Sequence, residues 1–244
     1  MKIAVRKRKI GSIPTLEVVG QENLYNALPL IVYYHGWQTS KELVLTQGRK
    51  LAQQGFRAVL PDAQNHGERE AAISKIPSLT FFQSIHTNLF EFESIVNYFS
   101  QLGLTNGKLG VGGVSMGGMT TCALLTQHPE IDVAACVMGS PSLIDYRQEL
   151  QKLLRERNIQ LPKDYEYLTS WIDHYDLASQ YTEIKKRPIF FWHGLHDEKI
   201  PFDQTDRFVR NHLGPELTFH AANERHMVKV PTMDQVAEFF ATHL

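Results

Sequence analysis

Residues 109–118 read L-G-V-G-G-V-S-M-G-G, and residues 116–127 continue as an apolar stretch long enough for a helix. The first part has the length and character of a buried strand, so Ser115 stands at a strand-to-helix turn. Gly113 and Gly117 flank it at two residues on either side. Small residues there let the chain reverse tightly without a Cβ clash and leave the serine presented at the carboxyl edge of a sheet. The amino end of the following helix points at the same place and favours developing negative charge. The plain alternative is a glycine-rich turn that holds a serine by accident, and the rest of the chain decides between the two.

Working outward, strand and helix patterns alternate. Residues 2–8 and 13–19 read as a hairpin joined at Gly11-Ser12, and residues 28–35, L-P-L-I-V-Y-Y-H, form a continuous apolar run suited to a strand buried on both faces. Residues 41–54 are amphipathic and end at Gly55; residues 56–60 are a short strand stopped by Pro61. Helices are expected over 84–101, 116–127, 202–211 and 232–243, and strands over 108–114, 132–138, 188–193 and 216–221. This pattern predicts an α/β fold with a mostly parallel central sheet of about eight strands and helices on both faces. About fifty residues between the strands at 132–138 and 188–193 break the alternation. They carry Leu143, Leu150, Leu153 and Leu154, then Tyr165, Leu168, Ile172 and Tyr175, at helical spacing. A connection that long needs structure of its own. The reading is a core of residues 1–141 and 183–244 with a small helical cap inserted at 142–182; two crossover helices lying flat on the sheet are the alternative.

The 244 residues can bury a core with no disulfide or metal staple. With 25 basic and 26 acidic residues, the chain has no field that calls for nucleic acid or an anionic membrane as a partner. Five basic residues do fall in the first ten: Lys2, Arg6, Lys7, Arg8 and Lys9. They read as a solvated edge strand, where charge discourages strand-to-strand association. Cys122 and Cys136, both in apolar runs, read as buried free thiols. The basic start leads into I-G-S-I-P-T rather than an apolar secretory core, and no run of about 18 apolar residues occurs. A cytoplasmic protein, monomer or homodimer, is expected.

A serine hydroxyl becomes a useful nucleophile only with a base, itself oriented by a third group. H-G-L-H-D at 193–197 follows a predicted strand and puts Asp197 at the same sheet edge as Ser115; N-E-R-H-M at 223–227 puts His226 between the last strand and the last helix. Nucleophile, acid, base is the chain order that a strand–turn–helix serine of this kind uses. Glu198 and Asp203 compete as the acid, and His220 and His196 as the base. Asp197 leads because it stands just beyond its strand, and His226 because its loop can reach the turn. An oxyanion needs two backbone N–H groups, that of Met116 and one from the loop after the strand at 28–35, where Trp37 is the candidate and Gly36 permits the close turn. His35 reads as a tie for that loop. His66, Glu68 and Arg69 lie at the same edge; His66 and Arg69 are candidates for substrate contact, against a salt-bridged loop that only shapes the wall. His193, His196 and Asp197 are close in sequence, but they lack the spacing and number of a metal site, and none is expected.

With these residues in view, the chain resembles α/β-hydrolase-fold serine hydrolases along nearly its whole length. More narrowly, it resembles the small bacterial esterases related to prolyl oligopeptidase and dienelactone hydrolase. The resemblance rests on H-G-W at 35–37, P-D-A-Q-N-H-G-E-R at 61–69, G-V-S-M-G-G at 113–118, H-G-L-H-D-E-K-I-P at 193–201 and R-H at 225–226. It implies Ser115 as nucleophile, Asp197 as acid, His226 as base, and Trp37 and Met116 as oxyanion donors. It implies a serine carboxylesterase that acts on small soluble esters without a cofactor. The serine departs from dienelactone hydrolases, whose nucleophile is cysteine, and no propeller domain is present to gate peptides by size. Tyr165 and Trp171 of the cap are expected to wall the pocket and limit acyl size, against ordinary packing of cap on core. A peptidase or amidase of the prolyl oligopeptidase-like group, or a non-catalytic hydrolase-fold binding protein, are the alternatives.

Overall fold

A computed structural model describes residues 1–71 and 76–244. Its strands are β1 (Ile3–Ile10), β2 (Ile13–Gly20), β3 (Leu28–Tyr34), β4 (Arg57–Pro61), β5 (Thr105–Val114), β6 (Val133–Val137), β7 (Ile189–Gly194) and β8 (Leu217–Ala222). They form one eight-stranded sheet in the order β1-β2-β4-β3-β5-β6-β7-β8. The hairpin β1–β2 lies at one edge and pairs antiparallel with β4; β4 through β8 run parallel. The apolar run of β3 serves two cores at once. Leu30, Val32 and Tyr34 face one side, with residues of α2 (Pro77–Gln101) and α3 (Met116–Gln127). Ile31 and Tyr33 face the other, with α1 (Leu45–Gln53) and α8 (Val230–His243). Strands covered on both faces lose the polar alternation of a half-exposed sheet, which is why β3 reads as unbroken apolar sequence.

Two details depart from the sequence reading. Helix α2 starts at Pro77, ahead of the expected residue 84, with the proline in its first turn where a missing N–H costs nothing. The basic residues of β1 are not all solvated. Arg6 and Arg8 turn to Glu17 of β2 at 2.8 Å each, and Arg57 of β4 completes a buried ion cluster. Burial alone would raise the Glu17 pKa, but the Arg6, Arg8 and Arg57 cations hold it below the usual range.

Between β6 and β7 run α4 (Leu143–Glu156), α5 (Tyr165–Leu168) and α6 (Leu177–Gln180). Ser142 caps α4 by accepting from Asp145 N. Asp176 caps α6 through Ser179 N and also accepts from Ile144 N, so one carboxylate ties the two helices together. Leu143, Tyr146, Leu177 and Tyr181 pack into the core shared with α2 and α3, so this segment is anchored on the sheet's helical layer. The last helices are α7 (Phe202–Asn211) and α8. The loops after β3, β4, β5, β7 and β8 all leave the carboxyl ends of parallel strands, the edge where ligands bind in such sheets.

Candidate active site

Ser115 follows the last residue of β5 and has φ +56° and ψ −117°, a conformation that side chains rarely adopt. Its neighbours explain how the turn is tolerated. A Cβ on Gly113 would lie 2.4 Å from the Gly117 carbonyl carbon, and one on Gly117 would lie 2.3 Å from Tyr34 O. Both positions are therefore closed to any side chain. Ser115 N donates to Val137 O at 2.8 Å, and Ser115 O accepts from Met119 N, so the turn is tied to β6 and opens α3. Met116 N–H, the first of the helix, has no intrahelical acceptor available to it.

The three sequence-chosen side chains meet. His226 Nε2 is 2.9 Å from Ser115 Oγ, and His226 Nδ1 is 2.7 Å from Asp197 Oδ2. Asp197 Oδ1 accepts from Lys199 N and Ile200 N, both at 2.9 Å. Burial alone would push the Asp197 carboxyl up; hydrogen bonds from His193, His226 and these two amides hold it well below the usual carboxylate range. The competing residues lie elsewhere. Glu198 accepts from Arg225 and from the backbone of His226 at 3.4 Å, and Asp203 is 3.8 Å from Arg207. His196 bonds Asn223, and His220 packs against Phe190. Among the described residues, no three His, Cys, Asp or Glu side chains gather as metal ligands would.

His193, which the sequence offers only as a metal-ligand candidate, stands against Asp197 instead. Its side chain is fully buried, with Nε2 3.0 Å from Ile200 O and 3.2 Å from Asp197 Oδ2. Nδ1 is 3.1 Å from Thr205 Oγ1, which itself donates to Gly139 O at 3.1 Å. Nε2 faces two acceptors, Ile200 O and Asp197 Oδ2, so the ring turns an N–H to that side. The pattern H-x-x-x-D was visible in the sequence; the second acceptor that fixes its role, Ile200 O, comes from the loop between β7 and α7.

His35 ties its loop as expected. Nδ1–H donates to Gly36 O at 2.8 Å, and Nε2 accepts from Ala63 N at 3.0 Å, joining the loops after β3 and β4. Burial lowers its pKa to about 4 and keeps it neutral. A Cβ on Gly36 would come within 3.5 Å of Ser115 Cβ, so the loop after β3 passes directly over Ser115. Trp37 follows, its ring edge-on to His66 and Phe81 at 4.8 and 5.4 Å.

Ser115 opens into a cavity of about 130 Å³. Trp37, Phe81, Tyr146, Leu150 and Ile200 form its apolar wall, and Pro77, Ser78 and Lys199 complete it. Ser115 is only 8% exposed, with residues of α2 and α4 lining the cavity around it. The sequence-chosen wall residues are elsewhere. Tyr165 is buried outside the lining, and Trp171 stacks on His86 with ring centroids 4.4 Å apart. Tyr146 and Leu150, one turn apart on α4, take that place; their i, i+4 spacing was legible, but not which face of α4 met the serine. Arg69 also departs from the expected substrate contact. Its guanidinium pairs with Glu91 at 2.6 and 2.8 Å and donates to Gln64 and Asp62 O, so it braces the loop after β4 against α2. His66 stays beside Trp37 and lines a second cavity next to the first.

Compared with known proteins, residues 29–215 match the family model of the alpha/beta hydrolase fold. The esterase-named protein YitV of Bacillus subtilis (strain 168) is 32% identical across 99% of this chain and 100% of its own length. Esterase YjfP of Escherichia coli (strain K12) is 26% identical over 99% and 100%. Among solved structures, TT1662 from Thermus thermophilus superposes with a TM-score of 0.76 at 18% identity, covering 99% of this chain and 98% of that one. No helix among the described residues is long and apolar enough to cross a membrane.

Proposed function

The chain belongs to the alpha/beta hydrolase fold family, and on that premise we propose that it is a serine carboxylesterase hydrolysing small esters through an acyl-enzyme on Ser115. The observation that carries this reading is the unbroken hydrogen-bonded line from Asp197 Oδ2 through His226 to Ser115 Oγ, at 2.7 and 2.9 Å. Two relatives with esterase names, similar over their whole lengths, support the same reaction class.

In the first half-reaction, Ser115 Oγ attacks the ester carbonyl while its proton passes to His226 Nε2. Asp197 accepts His226 Nδ1–H throughout and stabilises the imidazolium. The tetrahedral oxyanion is held by the N–H groups of Met116 and Trp37. Collapse returns the proton to the departing alcohol oxygen. Water then repeats the sequence on the acyl-enzyme and releases the acid. A cavity of about 130 Å³ walled by Tyr146, Leu150 and Phe81 fits short acyl chains. The segment 142–182 thus acts as a cap, through α4 rather than through its aromatic cluster.

The test is hydrolysis of p-nitrophenyl esters from acetate to decanoate by the wild type and Ser115→Ala. Turnover that peaks at two to four carbons and falls by roughly 10³-fold or more in Ser115→Ala is the expected result. Turnover that persists in Ser115→Ala overturns the reading. Faster cleavage of an aminoacyl anilide than of any ester would move the protein to the peptidases.

A further inference from the structure

The small cavity over Ser115 has a larger neighbour. It measures about 430 Å³ and shares Trp37 and Pro77 as a common wall with the first. It lies between the loops after β3 and β4, and its chemistry is unlike that of the apolar acyl cavity. Gln38 and Asn65 on its wall have φ +56° and +66°. With Ser115 they are three of the five non-glycine residues among those described that adopt left-handed backbone. Such strain persists only where the surroundings enforce it, and it gathers at functional sites.

The polar groups on this wall are mostly acceptors. His66 donates Nδ1–H to Gln64 O at 2.8 Å, which leaves Nε2 as a lone pair. Burial lowers the His66 pKa and favours this neutral form. Thr39 commits its hydroxyl proton to Gly36 O at 2.7 Å and has lone pairs to offer. Glu70 adds an exposed carboxylate and Gln38 an exposed amide. No Lys or Arg among the described residues lines the cavity. A ligand that fits must bring hydrogen-bond donors. An anionic group would meet Glu70, with no cation among the described lining residues to offset it. A hydrocarbon chain would leave acceptors covered and unpaired, which is costly.

We propose that this cavity receives the alcohol half of the substrate, and that this alcohol is a neutral, hydroxyl-rich one, a polyol or sugar carrying a short acyl group. The proposal rests on the serine esterase reading and deepens it. Water cleaves the ester to the free carboxylic acid and the free alcohol, whose oxygen takes its proton from His226. Specificity then divides at Trp37, with acyl length set on the α4 side and hydroxyls counted on the side of the β3 and β4 loops.

The experiment compares two acetates with the same acyl group and similar ring size, a monoacetylated methyl glucoside and cyclohexylmethyl acetate, with p-nitrophenyl acetate as a reference. The wild type is expected to favour the glucoside ester in kcat/KM by roughly tenfold or more, the scale of one or two well-placed hydrogen bonds. Glu70→Leu and Thr39→Val should each shrink that preference several-fold. Their kcat/KM should fall more on the glucoside ester than on the cyclohexyl ester. Equal or better use of the cyclohexyl ester, with p-nitrophenyl acetate still cleaved through Ser115, overturns the proposal and leaves the esterase reading intact. A preference for acetylcholine over the glucoside ester also overturns it, because the cavity would then read positive charge. Failure on all of these esters, in a folded protein, removes both.

Discussion

Replacing His193 with Phe should slow the chemical step while leaving substrate binding nearly untouched. Asp197 Oδ2 is shared between two imidazoles, His226 at 2.7 Å and His193 at 3.2 Å, and the carboxylate side chain is fully buried. In the proposed reaction His226 takes the Ser115 proton during attack. The direction in which Asp197 is held then matters most, and His193 is one of the two groups holding Oδ2. A hydrogen bond to a charged acceptor contributes about 1.5–3 kcal/mol, and each 1.4 kcal/mol is about tenfold in rate. If most of that is lost in the transition state, kcat falls by roughly ten- to a hundredfold. KM should stay within about twofold, since His193 lines neither cavity. His193→Gln, which can present an N–H toward Asp197, should recover part of the loss. Thr205→Val, which removes a neutral partner 3.1 Å from Nδ1, should cost only about fivefold, near 1 kcal/mol. The assay is steady-state hydrolysis of p-nitrophenyl acetate alongside thermal unfolding. The downfield proton resonance of the His226–Asp197 hydrogen bond serves as a spectroscopic marker. His193→Phe that unfolds more easily yet keeps wild-type kcat and an unshifted resonance would refute the positioning role and leave His193 as packing.

Gly117→Ala should lose at least tenfold in activity and unfold about 5–10 °C lower, because its Cβ would sit 2.3 Å from Tyr34 O and force two backbones apart. Gly118→Ala, whose nearest contact would be Cys136 Sγ at 3.1 Å, should fall well short of that loss when both are measured by melting and turnover. Burial depresses the His35 pKa from its ordinary value near 6.5 to about 4, so between those values the unfolded chain binds a proton that the folded chain refuses. Stability should therefore be full above about pH 6.5 and fall by up to about 3 kcal/mol as pH drops to about 4, with a smaller slope in His35→Asn. Urea titrations at several pH values give that slope. His66 and His86, also depressed by burial, add to the same window, so His35→Asn should remove only part of the slope. The depressed Asp62 and Asp197 carboxylates begin to cost stability as pH falls toward their ordinary range at about 4.

Much of this was legible in the sequence because local rules and the fold agree. The elbow is written in Gly113 and Gly117, whose missing side chains answer contacts of 2.4 and 2.3 Å with backbone. Asp197 and His226 lie in loops after β7 and β8, and parallel order brings those loops to the carboxyl end of β5. The substrate walls were not legible. Tyr165 and Trp171 share the composition of Tyr146, and nothing in helical spacing says which aromatic turns toward the serine. That choice is made by Asp176 binding Ile144 N, which docks α4 against α6, and by Leu143 and Tyr146 packing into the core. Arg69 was misread for a related reason. A basic residue at the active edge looks available until its acid partner, Glu91 on α2, is seen across the loop.

This difference has a physical root. The line from Asp197 through His226 to Ser115 needs short, directional contacts, and it is built from chain segments that the parallel sheet already brings together. The cavities need only shape and a count of donors and acceptors, supplied by α2, α4 and the loops after β3 and β4 from distant parts of the chain. Lys41 shows how firmly the polar side is set. Burial would lower its pKa, but its ammonium meets Asp62 at 2.6 Å and Glu68 at 2.8 Å, and the net shift is upward. Asp62 in turn accepts from Lys41 N and Glu68 N, and its Oδ1 is 2.2 Å from where a Gly67 Cβ would stand. The loop that carries His66 is thus clamped to the loop that carries Trp37. Substitutions around Glu70 and Thr39 should change which alcohol is released without disturbing the hydrogen bonds from Asp197 through His226 to Ser115, whereas a substitution at Asp62 would loosen both loops and affect the proposed oxyanion site and alcohol cavity together.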